Sequence, residues 1–134
     1  MPGKAQYFSN AVLNLLRNTA FTAVSQSYIG LFSTAPPDNS HNGTELTGGS
    51  YARQPVTFGA PTAANVNAQQ IANTNTITFG PATTADWPQA VAFGVFDSLT
   101  TGNLLYWNTL TTPKTIQVGD SGIWAVGALV ISED

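Results

Sequence analysis

The apolar positions change period once, near Gln26. Before it, Phe8, Ala11, Val12, Leu13, Leu15, Leu16 and Ala20 fall on one side of a helix drawn at about 100° per residue. Asn10, Asn14, Arg17 and Asn18 lie opposite, so the spacing predicts an amphipathic helix over residues 5–18. Its apolar arc spans about 200°, twice the ~100° that a helix lying on one core needs. Such an arc has two readings: a helix packed deeply against its own sheet, or one whose face partly touches a neighbouring subunit.

From Gln26 onward the pattern is one of short β runs bounded by turn residues, predicting a β-domain over residues 26–132 of a single domain spanning 1–134. SYIGLFS is the first run, followed by the loop TAPPDNSHNGTELTGG. YARQPVTF is the second, and Pro55 within it marks an edge strand or a bulge. Residues 65–75 read as polar loop with one weak strand around Ile71. TITF, AVAFGVFD, NLLYWNTL, KTIQV and GIWAVGALVIS follow, with turns expected at Gly80-Pro81, Thr101-Gly102-Asn103, Thr112-Pro113 and Gly119-Asp120-Ser121-Gly122. The last run places Ile123, Ala125, Leu129 and Ile131 on one face and Trp124, Val126, Ala128 and Val130 on the other. A strand apolar on both faces is either covered twice or half covered by a partner. Repeated short strands without βαβ alternation predict a mainly β protein, an antiparallel β-sandwich or barrel-like domain with an N-terminal α-helix.

Composition sharpens this. Hydrophobic residues are 43% of the 134, enough for a core, but charged residues are only 8%. Thr, Ser, Asn and Gln fill the deficit at roughly a third of the chain. Four Lys plus Arg against seven Asp plus Glu give net −3, which excludes a polybasic nucleic-acid footprint. With no cysteine, disulfides and thiolate chemistry are excluded. The N-terminal stretch lacks the uninterrupted apolar core of a signal peptide, and the run from Ile123 to Ile131 is too short for a membrane span, so a soluble protein without membrane contact is expected.

Candidate chemistry is sparse. Asp38, His41 and Glu45 could in principle ligate a divalent ion, but one histidine in an Asn/Gly-rich loop is ordinarily solvent-exposed, so neither metal nor cofactor is expected. No nucleophile elbow, zincin motif or P-loop occurs, and the turn positions of Asp38, Asp97 and Asp120 argue against a glycosidase carboxylate pair. Asn42-Gly43-Thr44 matches a glycosylation sequon of chance specificity. Trp87, Tyr106, Trp107 and Trp124 could form a sugar-stacking platform, although aromatics in β runs more often pack the core. Arg53 stands out as a mid-strand cation in a chain with four, for which Glu45 or Asp97 could accept a bidentate pair. No enzymatic activity is expected.

YIGLFSTAPPD, ELTGGSYARQPVTFG, ADWPQAVAFGVFDSLTTGNLLYWNTL and LTTPKTIQVGDSGIWAVGALVIS together resemble a family of small tailed-bacteriophage virion proteins. Its members share a pattern close to L-x-T-A-x-P, then E-x-x-G-G-x-Y-x-R-Q, then a strand ending F-D before a Gly-rich turn and an L-L-x-W-type strand. The resemblance covers residues 28–132. Its most specific block is Glu45, Gly48, Gly49, Tyr51, Arg53 and Gln54, with Asp97 closing the F-D strand; Trp87-Pro88 stands where the family commonly has Trp-Gly. The resemblance implies a virion structural protein, in the first place a capsid cement (decoration) protein stabilising the major capsid protein shell. The alternative is a tail-fibre or tail-tip module contacting the host surface. Such a protein would be made in the host cytoplasm and carried on the virion, on the capsid exterior rather than the tail. A homotrimer is expected, with Phe8, Val12, Leu13 and Leu16 of the helix and Trp124, Val126 and Val130 of the last strand as its candidate interface.

Overall fold

The computed structural model describes residues 3–37 and 43–133. It is mainly β, with antiparallel sheets and one N-terminal helix, and no sheet among these residues closes into a barrel. The principal sheet has the order β1 (Gly3–Lys4), β9 (Leu104–Lys114), β8 (Ala90–Phe96), β2 (Ser27–Thr34), with β3 (Thr44–Glu45) and β4 (Gln54–Val56) sharing the far edge of β2. A second sheet pairs β7 (Ile77–Phe79) with β10 (Gly122–Trp124), and a third has the order β11 (Val130–Glu133), β6 (Ala68–Ala72), β5 (Thr62–Asn65).

The two small sheets supply one side of the main core and the principal sheet the other. Ile29, Leu31, Phe93, Val95 and Leu105 meet Ile77, Phe79, Trp124 and Ile131. Because side chains alternate across a strand, the intervening residues of β2, β8 and β9 form a second buried cluster of Phe32, Ala92, Phe96, Leu104 and Trp107. Coverage on both faces therefore falls to strands of the principal sheet, most fully to β8 at its centre, and not to the final run of the chain. That run is broken. Gly127 takes a φ of +82° in the turn between β10 and β11, and the two halves join different sheets.

The strand expected around Ile71 within residues 65–75 forms as β6, and it pairs with β5 just before it across a turn in which Asn67 N–H donates to Asn65 Oδ1 at 2.8 Å. Three further local expectations are corrected. Thr112-Pro113 is not a turn, since both residues lie within β9, where a register shift opposite Ala90 to Ala92 leaves room for proline. KTIQV accordingly forms no strand of its own: Lys114 ends β9, and Val118 makes only an isolated bridge to Ala82. The YARQPVTF run shrinks to β4, an edge strand as Pro55 requires, and Arg53 precedes it.

Helix α1 (Gln6–Leu16) ends as its sequence dictates. Asn18 takes φ +63°, Thr19 N–H reaches Asn14 O and Asn18 N–H reaches Leu15 O, the paired closure that Asn or Gly permits after a helix. The helix is anchored at its start, where buried Ala5 donates its N–H to Leu105 O at 2.8 Å and Phe8 packs edge-on against Phe21 and Tyr106. Beyond that it stands off the sheet. None of its residues is buried, which overturns the reading of a helix packed deeply on its own core.

Candidate functional site

The segment from β3 to β4 is a strand along the edge of β2, interrupted by an excursion over residues 46–53 that holds the most specific block of the sequence. Where the chain leaves the edge, side chains replace the ladder. Leu31 O accepts from Leu46 N–H at 2.8 Å, and Leu31 N–H donates to the Tyr51 hydroxyl at 2.9 Å. Tyr51 in turn donates to Glu45 Oε1 at 3.0 Å. Burial first, and the Glu45 carboxylate second, push the Tyr51 phenol well above its ordinary pKa, so it stays a neutral donor.

Arg53 closes the excursion. Its Nε and one terminal nitrogen each donate at 2.9 Å to the two oxygens of Glu45, the bidentate geometry expected of guanidinium and carboxylate. The other terminal nitrogen donates to Ser98 O at 2.9 Å and Thr101 O at 2.7 Å, in the turn between β8 and β9. Its Cζ lies 3.5 Å from the centroid of the Phe96 ring. One cation thus ties three separate segments together. Asp97, the other acceptor considered for it, instead closes the same turn by accepting from the N–H and side-chain amide of Asn103.

The glycines of the block provide space. A Cβ on Gly48 would stand 2.6 Å from Trp87 Cδ1, and one on Gly49 2.1 Å from Thr83 O. Trp87 packs there with its indole N–H on Gly49 O at 3.0 Å, so Pro88 after it leaves this contact intact. Gly30 and Gly94, cross-strand partners in β2 and β8, went unremarked in the sequence reading. A Cβ on Gly30 would meet both Glu45 and Phe96 at 2.8 Å. The signal was present: an isolated glycine inside a strand run marks a close approach.

All of this is scaffolding; among the described residues two surface features stand apart from it. A groove of about 620 Å³ runs between α1 and the β6–β11 edge, lined on the helix by Phe8, Ala11, Val12 and Leu15 and opposite by Ile71 and Ile131. Lys4 and Glu133, which pair with one another, stand at its wall. A smaller recess of about 360 Å³ involves Asn108, Thr109, Lys114, Trp124 and Val130. The candidate interface therefore divides. Phe8 and Val12 line the groove, and Leu13 and Leu16 are exposed on the outer side of α1. Val126 is exposed in the β10–β11 turn, Val130 faces the other recess, and Trp124 is buried against Phe79, which removes it from the outer surface.

Other candidates dissolve or lie elsewhere. Trp87, Trp107 and Trp124 are all buried and Tyr106 half-buried, so these four form no solvent-facing platform. Asp38 and His41 lie outside the described residues. Among those described, no three His, Asp or Glu side chains form a metal-ligating group, and no helix is long and apolar enough to cross a membrane.

The family described as Podophage GP4 fiber I protein gp80 matches residues 3–132. No curated protein matches the chain. With nearly its whole length matched, the chain belongs to this family and is a structural protein of a tailed-phage virion.

Proposed function

We propose that this member of the fiber I family is a non-enzymatic subunit of the tail-fibre apparatus, acting through protein–protein contacts. The observation that supports the reading is the fibre description of a family matching residues 3–132. The architecture is suited to such a role. Its most specific residues are spent on rigidity, in the Glu45–Arg53–Phe96 clamp, and its exposed apolar surface is concentrated on α1, where a neighbour in an assembly can cover it.

A second reading, capsid cement bound to the major capsid protein, is favoured by a different observation. The chain is short, charge-poor and free of the heptads or repeats that would extend a shaft, so a shell surface could bury it without desolvating many charges. Quantitative mass analysis of separated heads and tails tests the two. A few copies travelling with tails are expected of a fibre subunit. A large fixed ratio to the major capsid protein on tailless heads would replace that reading with cement.

A further inference from the structure

Building on the reading of the chain as an assembly subunit, we propose that the outer face of α1 and the groove beside it dock a second copy of this chain. Three observations converge there. First, the helix is incompletely supported. Eleven residues are fewer than the ~12–15 at which even a favourable isolated helix becomes marginal, and packing of an apolar face normally makes up the difference. Here Leu13 is 60% exposed, Leu15 52% and Leu16 82%.

Second, the molecule carries more surface than its mass calls for. Its accessible area is 7424 Å². A monomer of 14.1 kDa is expected to expose about 6,700 Å². The excess over the whole molecule, roughly 700 Å², is of the order of the ~800 Å² that one partner contributes to a stable interface, and α1 carries half of the ten large apolar side chains exposed among the described residues.

Third, the face is complementary to itself. Two copies meeting through one surface bring identical charges together, so that surface must be neutral or carry both signs. Lys4 and Glu133 at the groove neutralise each other and α1 itself carries no charged residue, which leaves the charge of Arg17 at its end, hydrogen-bonded to the neutral Asn14 Oδ1 at 3.1 Å. Leu13 and Leu16 form a ridge on the outer side of α1, while Phe8, Ala11, Val12 and Leu15 of the same helix turn to the groove, so one copy's ridge can seat in the groove of the next.

The full chain at tens of micromolar, measured by sedimentation equilibrium, tests this. A dimer or trimer is expected, weakened at least tenfold by Leu16→Asp and again by Leu13→Asp. Because neither side chain is buried in the single copy, near-ultraviolet circular dichroism of the buried tryptophans should be unchanged in both variants. A strictly monomeric parent chain would overturn the proposal, as would an oligomer indifferent to both substitutions. So would a monomer that takes up a fluorescent fatty acid in the groove, which would make the groove a small-molecule site. A monomer still incorporated into virions overturns this face and spares the assembly reading; absence from heads and tails alike overturns the assembly reading.

Discussion

Arg53 and Glu45 face each other through two parallel hydrogen bonds of 2.9 Å, with the guanidinium lying on the ring of Phe96. The pair is asymmetric in exposure, the arginine side chain at 9% and the glutamate at 26%. Removing the cation leaves a partly buried carboxylate without its countercharge and two turn carbonyls without a donor. Arg53→Ala should cost about 3 kcal/mol, the lower end of the range for breaking a buried pair. Arg53→Lys keeps the charge but not the fork, and should fall between. Urea denaturation measures both, and a loss under about 0.5 kcal/mol for Arg53→Ala would place the pair among exposed ones.

Tyr51→Phe removes the hydroxyl that stands in for a backbone ladder partner. Leu31 N–H and Glu45 Oε1 each lose a contact, for a cost of about 1–2 kcal/mol. The pH dependence is the more specific test. The folded phenol ionises above its ordinary value of 10.0, whereas the unfolded one ionises near it. Above pH 10 the unfolded state therefore releases a proton that the folded state retains, and stability falls as pH rises. Below pH 10 the contribution is fully present. Tyr51→Phe should flatten the alkaline limb of stability against pH; an unchanged limb would assign it to other groups.

Gly49→Ala tests whether the double glycine is there for space. The added methyl would lie 2.1 Å from Thr83 O, a backbone atom tied to the same residue by the Gly49–Thr83 bridge, so it cannot swing aside. Overpacking of this kind costs about 1–3 kcal/mol. Gly119→Ala is a useful contrast, because nothing lies within 4 Å of its Cβ and the cost arises only from its φ of +87°. The melting temperature of Gly49→Ala should be the lower of the two.

How much of this was legible depended on the range of the interaction. The helix and the β2 and β8 runs follow from local period, and Arg53 could be flagged because a cation in so charge-poor a chain demands a partner. Choosing Glu45 over Asp97 could not be made locally, since both are reachable acceptors and only the fold brings the Ser98–Thr101 turn onto the far side of the guanidinium. The last run misled because uninterrupted apolar character says nothing about where Gly127 bends it. The same run of side chains feeds two sheets.

That bend is held by a residue the sequence reading passed over as loop polarity. Asn73, 1% exposed, donates its side-chain amide to Asn75 O at 2.8 Å and Ala125 O at 3.0 Å, and accepts from Leu129 N–H at 2.9 Å. Its own carbonyl accepts from Gly127 N–H. The side chain thus braces the exposed turn between β10 and β11 from its buried side, where Leu129 N–H has no access to solvent. Asn73→Ala should cost about 2–4 kcal/mol, because one buried and two part-buried backbone groups lose partners together. Asn73→Asp separates donor from acceptor. It can still accept from Leu129, but as a carboxylate it faces two carbonyl oxygens with nothing to donate, in a site where charge is strongly disfavoured. Its folded-state pKa should therefore rise above the ~3.9 of the unfolded chain, and stability should fall as pH increases past that value. Below it, the protonated acid can donate once and part of the loss is recovered. Urea midpoints of Asn73→Asp and the parent chain at pH 3.5 and pH 7 measure the difference; a gap that failed to widen with pH would mean that the turn admits solvent to the carboxylate.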